Sequence, residues 1–388
     1  MTALPRLLSA VAALALSASQ AIAFDTRAEA AFVMDQTTGT VLMAKNADDA
    51  LPPASMSKLM TLYLAFEAVR DGRMRMEEEL RVSQHAMNYG GSTLFLKAGE
   101  RVSVEDLLRG IIVLSGNDAC AVIAEALSPD GTEAGFARLM TQRAQQLGMT
   151  SSVFKNSNGW PANGHVMSMR DLSLLARHLI EDFPEYYPMF AQEEFLFDQK
   201  ESQNRYNRNP LLGLGIGADG LKTGHTQEAG YGLVGSAKQG ERRVIFAITG
   251  LSTAKARAEE SESIVNWAFR QFAEKTVVTK GTEVARADVW LGSDDSVGLV
   301  ADKDLSLLLP RATPGGLKAE VVYTGPVEAP IRAGQQLAEL IISPEGLEET
   351  RVPLFAASAV EAGGFMDRIM IVSKHLIARV QDQPGESM

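Results

Sequence analysis

The sequence predicts an α+β chain, a mixed helix–strand domain holding most of the residues followed by a small β-sandwich. Three observations carry this reading. Apolar residues recur at helical spacing between residues 55 and 180, each run opening behind a polar cap or a proline pair. Two alternating segments, 231–237 and 243–249, flank the turn Lys238-Gln-Gly-Glu, the pattern of an antiparallel hairpin. From about Thr276 the chain breaks into short strand-like pieces (283–289, 297–300, 305–309, 319–322 and 337–342) separated by Gly, Pro and Asp. A length of 388 residues exceeds one ordinary core, so two domains are expected.

The chain opens on a segment outside the fold. Arg6 is the only charge before Asp25, an apolar run from Leu7 to about Ala18 follows, and Ala21-Ile-Ala23 fits a small-x-small cleavage site. The reading is a secretory signal peptide, residues 1–23, cut after Ala23; a retained N-terminal anchor is the alternative. Losing Arg6 takes the formal charge from −11 to −12, and an acidic chain argues against a nucleic-acid partner. The single cysteine, Cys120, forbids an intramolecular disulfide and sits in an apolar pattern that suits a buried, inert thiol.

Residues 31–44 read as a hairpin turning at Gly39. Pro52-Pro53 ends an extended approach, and Leu59, Met60, Leu62, Tyr63 and Phe66 then mark a buried helix with Ser55 in its first turn. A loop-rich stretch follows through Gly99. Ser103, with Asp106 three residues on, opens a helix through Ile112; others begin near Asp118, at Thr132 (ending at Gly148) and at Ser168. The mixed domain is assigned to 24–273, the β module to 274–362 and a tail to 363–388.

Ser55 and Lys58 lie three apart on one helical face, within reach of each other. A lysine whose pKa is lowered by burial or by a neighbouring cation can take the proton of a serine nucleophile, and a helix N-terminus offers N–H groups to an oxyanion. The spacing alone is cheap, since Ser152…Lys155 and Ser252…Lys255 repeat it and a solvent-facing pair explains most such matches. Ser115-Gly-Asn117, a polar loop between apolar helices, reads by itself more readily as a helix cap, and Ser202-Gln-Asn204 repeats that pattern. Lys222-Thr223-Gly224 occurs once; on an edge strand the glycine admits a ligand, the threonine offers a hydroxyl and the lysine a charge, though an ordinary strand end fits too. The five histidines include no pair at helical ligand spacing and there is no Cys cluster, so neither a metal site nor a cofactor is expected.

The order of the three motifs, each in its expected context, resembles the penicillin-recognising serine enzymes. Longer strings, Pro53-Ala-Ser-Met-Ser-Lys-Leu-Met-Thr61, Leu114-Ser-Gly-Asn-Asp-Ala-Cys120, Asp219-Gly-Leu-Lys-Thr-Gly-His-Thr226 and Ala229-Gly-Tyr-Gly-Leu-Val-Gly-Ser-Ala237, closely resemble the D-alanyl-D-alanine carboxypeptidases, the low-molecular-mass penicillin-binding proteins of serine peptidase family S11. The resemblance implies an antiparallel sheet flanked by helices with an all-helical subdomain, a Ser55 acyl-enzyme, peptidoglycan pentapeptide as substrate and β-lactams as covalent inhibitors. It further implies Lys58 as base, Ser115 as proton relay to the leaving amine, and Asn117 and Lys222 as substrate-orienting groups. Thr223 and Arg257 would bind the terminal carboxylate, and the Ser55 and His225 amides would form the oxyanion hole beside Gly224.

A class A β-lactamase is disfavoured because no Glu-x-x-Leu-Asn lies between the second and third motifs. A DD-endopeptidase on cross-linked wall and a catalytically idle wall-binding scaffold stay as alternatives. In the tail, Phe365, Ile369, Val372, Leu376 and Val380 gather on one side of a helix that carries Arg368, Lys374, His375 and Arg379 largely elsewhere. That pattern suits the surface of the inner membrane and predicts a periplasmic protein peripherally attached to it; a helix packed on the β module or on a neighbouring subunit is the alternative.

Overall fold

This computed structural model describes residues 24–197, 204–311, 318–343 and 349–364. The expected leader and the amphipathic stretch from 365 onward lie outside the described residues.

Strands β1 (Ala30–Asp35) and β2 (Val41–Lys45) form the expected hairpin. A 3-10 turn, Ala54–Ser57, feeds α1 (Lys58–Arg70), which is buried on nearly every side from Lys58 to Phe66. Full burial explains why its sequence is a continuous apolar run rather than one stripe. In the stretch that reads as loop, a two-stranded ribbon of β3 (Glu79–Arg81) and β4 (Arg101–Ser103) brackets the short α2 (Gln84–Met87). Ser103 caps α3 (Val104–Arg109), its hydroxyl accepting from the Asp106 amide at 3.1 Å. Where the sequence suggests one helix running on through Ile112, the bonding changes at Gly110 to a π-helical turn, Gly110–Leu114. Such turns re-aim the chain at functional sites, and this one delivers Ser115.

Then follow α4 (Asn117–Leu127), α5 (Glu133–Gln146) capped by Thr132, and α6 (Met169–Asp182) capped by Ser168. Strands β5 (Ala218–Thr226), β6 (Gly230–Gln239) and β7 (Arg242–Leu251) lead to α7 (Ala254–Gln271). The sequence pattern does not predict this helix, although Thr253 is a regular cap, accepting from the Ala256 amide at 3.0 Å. The helix buries only a thin stripe through Ile264, Val265 and Ala268, and its first half is charged and polar, which hides the period.

The sheet is antiparallel throughout its named pairs, in the order β2-β1-β7-β6-β5. Alternation assigns its two faces. Ala30, Phe32, Met34, Ile245 and Ala247 join the core built on α1 and α4, whereas Ala31, Val33, Val244, Phe246 and Ile248 pack with Ile264, Val265 and Ala268 of α7. The helices between β2 and β5 form the helical body, and β5 is left as the free edge facing it.

The C-terminal part contains β8 (Phe272–Val278), β9 (Glu283–Trp290), β10 (Ser296–Val300), β11 (Leu305–Pro310), β12 (Lys318–Tyr323), β13 (Val327–Glu328), β14 (Gln336–Ser343) and β15 (Thr350–Ala356). Six of them make a sheet in the order β12-β14-β15-β10-β9-β13, and β8 pairs with β11 as a ribbon whose apolar side joins the same core. The boundary placed at 273/274 falls inside β8. β15 escaped the sequence reading because Pro353 interrupts its pattern. Pro353 is tolerated there because it lies opposite Glu339 of β14, while β10 pairs only with Phe355 and Ala356.

Candidate active site

Three segments distant in sequence meet where the free edge of the sheet faces the helical body: the turn before α1, the loop after the π-turn, and β5. Ser55 lies in the turn, and Lys58 Nζ donates to its Oγ at 2.8 Å. The same amine donates to the Asn158 carbonyl at 2.6 Å and is fully buried. Lys222 Nζ, on β5, donates to Ser115 Oγ at 3.0 Å and to the Thr223 carbonyl at 3.2 Å. Each serine hydroxyl thus faces a buried lysine.

Burial lowers the pKa of Lys58 to about 8, with the Arg208 charge acting the same way. Burial, then the charges of Lys58 and Arg208, lowers Lys222 well below the usual lysine range. Neighbouring cations in a desolvated pocket disfavour one another's protons, which is what a lysine base requires. Cys120 is buried with its thiol pushed up to about 12, so it is neutral and inert, as expected.

The backbone around both serines is strained. Ala54 has φ +49° and Ser115 φ +64°, left-handed values that cost a non-glycine residue on the order of 1 kcal/mol or more. Gly159 (φ +80°) is pressed so closely on the nucleophile turn that a Cβ would stand 1.8 Å from the Ala54 carbonyl oxygen. Gly224 serves packing on its Cβ side, where a side chain would meet Met56, the Pro53 carbonyl and Ala54 at 3.0–3.3 Å. Its smallness lets β5 approach the Ser55 turn, a different use from the ligand access read from the sequence.

Asn117 is buried; its side-chain amide donates to the Gly90 carbonyl at 2.8 Å and its N–H to the Ser92 carbonyl at 2.7 Å. Thr223 is buried on β5, and the exposed His225 ring stacks on Tyr231 with centroids 3.8 Å apart. Arg257, on α7, lies over the Tyr231 ring at 5.8 Å, its Nη2 donates to the Arg208 carbonyl at 3.4 Å and its Nε has no partner. Among the described residues no carboxylate pairs with Arg257, so a buried guanidinium with a spare Nε donor faces the Lys222 end of the pocket. The motif look-alikes go elsewhere. Ser152 donates to Asp171 at 2.7 Å, Lys255 lies near Glu259 at 3.7 Å, and Asn204 donates to the Thr93 carbonyl at 3.1 Å.

Sequence reasoning missed Asn158, Arg208, Glu133, Trp160 and the buried pair Ser57–His165, joined at 2.8 Å. Arg208 Nη1 donates to Ser92 Oγ at 2.6 Å at the rim. Burial, then the charge of Lys58, lowers His165 to about 4. Only Ser57 falls inside a motif, at a position its spacing leaves open, and the only advance signal for the others was the run of small and polar residues around Gly159. A groove of about 610 Å³ opens beside Ala54, walled by Pro53, Trp160 and Pro161, by Thr226 at the end of β5 and by Glu228 just beyond it. Among the described residues, no group of three His, Cys, Asp or Glu is placed to hold a metal.

Fold and site together define a penicillin-recognising serine enzyme, with a helical body closing on the edge of an antiparallel sheet. Residues 15–253 match the family model for D-alanyl-D-alanine carboxypeptidase, peptidase S11, and 272–362 match that of the penicillin-binding protein 5 C-terminal domain. The chain belongs to the S11 D-alanyl-D-alanine carboxypeptidase family. It is 36% identical to D-alanyl-D-alanine carboxypeptidase DacC of Escherichia coli over 350 residues, 88% of this chain and 86% of that one. Its structure is similar to penicillin-binding protein 5 of Haemophilus influenzae (TM-score 0.72, 31% identity, covering 87% of this chain and 98% of that one). It is also similar to penicillin-binding protein D2 of Listeria monocytogenes, solved in its ampicillin-bound form (TM-score 0.57, 33% identity, 64% and 99% covered).

Proposed function

We propose that the protein removes the terminal D-alanine from peptidoglycan pentapeptides through a Ser55 acyl-enzyme. The observation that carries this is the Lys58–Ser55 contact, a fully buried amine with a pKa near 8 donating to a partly exposed hydroxyl. About a tenth of Lys58 is neutral at pH 7, enough for a base next to its nucleophile.

Ser55 Oγ attacks the carbonyl between the two D-alanines and its proton passes to Lys58 Nζ. The oxyanion is held by the amides of Ser55 and His225, where one donor is worth on the order of 3 kcal/mol. The C–N bond then breaks as the proton taken from Ser55 passes from Lys58 through the Ser115 hydroxyl, which Lys222 holds in place at 3.0 Å, to the departing amine, leaving Lys58 neutral again. Asn117 orients the peptide and Lys58. Thr223 and Arg257 hold the terminal carboxylate, the role for which an unpaired buried guanidinium is suited. Water enters and gives a proton to Lys58 as its oxygen attacks the acyl carbonyl; the acyl C–Oγ bond then breaks and the proton returns from Lys58 to Ser55 Oγ.

The peptide upstream of the scissile bond lies beside the free edge of β5 and continues into the groove toward Glu228. Penicillins, cyclic mimics of the same acyl-D-Ala-D-Ala unit, acylate the same serine. Among the described residues no helix is long and apolar enough to cross a membrane. The leader places the mature protein in the periplasm, and the basic amphipathic sequence after Gly364 attaches it peripherally to the inner membrane.

Intact-mass measurement after mixing with penicillin G tests the chemistry, with D-alanine release from pentapeptide as the companion assay. One adduct per chain and D-alanine release are expected, both abolished by Ser55→Ala. An unlabelled wild-type chain, or an alanine variant that keeps either property, sinks the assignment. Product analysis on cross-linked muropeptides separates carboxypeptidase from endopeptidase.

A further inference from the structure

Glu133 opens α5 with a carboxylate that is only 9% exposed and has no part in the steps above. Its Oε1 accepts from the Ser157 amide at 2.9 Å and the Ser157 hydroxyl at 2.5 Å. Its Oε2 accepts from the Tyr89 hydroxyl at 2.6 Å and faces His85 Nε2 at 2.7 Å. Burial works to raise its pKa, but the bonds from Ser157, Tyr89 and His85 outweigh it and hold the group below the usual carboxylate range. It is therefore ionised at neutral pH.

Those partners belong to two different walls of the pocket. Ser157 precedes Asn158, whose carbonyl receives Lys58 Nζ, and the Ser157 carbonyl accepts from Thr61 on α1 at 2.5 Å. Tyr89 precedes Gly90, whose carbonyl holds the Asn117 side chain. One carboxylate thus ties the loop behind the base to the loop behind Ser115 and Asn117.

The charges facing Lys58 give the same carboxylate a second effect. Arg208 is the cation that lowers its proton affinity and Lys222 is the second amine of the pocket, its own pKa lowered in turn by Lys58, whereas Asp118 and Glu133 are the carboxylates that raise the proton affinity of Lys58. Cys120 and His165 are neutral near pH 7, with pKa values near 12 and 4. Asp118 accepts from the Leu94, Leu96 and Ala119 amides.

We propose that Glu133 is a positioning residue for Lys58. It fixes the Asn158 carbonyl on which the amine rests, and its charge keeps the proton affinity of that amine from falling further. The proposal rests on Lys58 as the base, so its test reads Lys58 directly as well as through activity.

The test uses the mature chain as wild type, Glu133→Gln and Glu133→Asp. Lys58 is titrated by NMR in lysine-labelled protein, and the rate of acylation by penicillin G is followed against pH. Glu133→Gln should lower the Lys58 titration and the acid limb of acylation together by roughly half a unit or more, less than the about 1–3 units of an opposite charge in contact. Its limiting rate above the limb should fall about tenfold or more as the two loops lose their tie. Glu133→Asp keeps the charge, so the limb should stay in place while the limiting rate falls. Both variants losing rate with titration and limb unmoved would make Glu133 a brace only and overturn the proposal. A shifted Lys58 titration with an unshifted limb would support the proposal and overturn Lys58 as base. Ser157→Ala, which deletes the 2.5 Å bond and keeps the charge, serves if Glu133→Gln does not fold; wild-type acylation in that variant would overturn the positioning role.

Discussion

Replacing Lys58 by methionine, similar in length and uncharged, should make the protein more stable and inactive. Lowering the lysine pKa from 10.5 to about 8 corresponds to about 3 kcal/mol of destabilisation when the folded state must keep the proton. Against this, the variant leaves the Asn158 carbonyl without its 2.6 Å donor, a loss of about 1–2 kcal/mol. The net expectation at pH 7 is a gain of about 1–2 kcal/mol, or roughly 3–6 °C in Tm for a domain of this size.

The pH dependence is specific. Between about 8 and 10.5 the unfolded lysine still holds a proton that the folded one has released. The unfolded state then binds more protons, so wild-type stability rises with pH across that window. The methionine variant has no such group, so its advantage should shrink from pH 8 upward, vanish within about one to two pH units and reverse by about 10.5, where only the lost bond to Asn158 remains. Thermal and urea unfolding of both proteins from pH 6.5 to 10.5 reads this. A variant less stable than wild type at pH 7, with a difference that does not change with pH, would refute a desolvated ammonium at this position.

Three further outcomes are expected. Gly159→Ala should cost more than about 2 kcal/mol and slow acylation strongly, because the methyl group meets the Ala54 carbonyl and the backbone sits at positive φ; a variant with wild-type Tm and acylation rate would mean the turn is loose. Glu228→Gln should reduce kcat/KM for pentapeptides whose third residue carries a free amine and spare those in which it is acetylated; equal effects on both would place the third residue outside the groove. Truncation after Gly364 should move the protein from the membrane pellet to the soluble fraction with turnover of soluble peptide unchanged, and full-length protein that ignores anionic vesicles would dismiss the attachment.

The fold was legible where local chemistry and burial agree. Ser103, Thr132 and Ser168 cap helices in the sequence as they do in space, and β6 and β7 alternate as strands with two differently packed faces. α7 was missed because only a narrow stripe of it is buried, and β15 because a proline stands where the neighbouring strand has already ended. Within the site, the motif residues Ser55, Lys58, Ser115 and Lys222 were visible because proton transfer fixes their residue types and spacing. Asn158 contributes only a backbone carbonyl, which any residue has, and Arg208 and Glu133 reach the pocket from segments with no fixed spacing to it. Groups that act through backbone atoms or charge at a distance leave no pattern in one sequence.

The place of β1 in the sheet bears on how the protein reaches its compartment. Val33 lies opposite Phe246, so one side of this early strand stays unpaired until roughly two hundred later residues have been made. Such long-range pairing slows folding, because the loop must close before the contacts that reward it can form. A chain that has to pass through an export channel unfolded, as the proposed leader requires, benefits from that delay. The sheet is completed only once its far end has arrived, and the chain stays threadable until then.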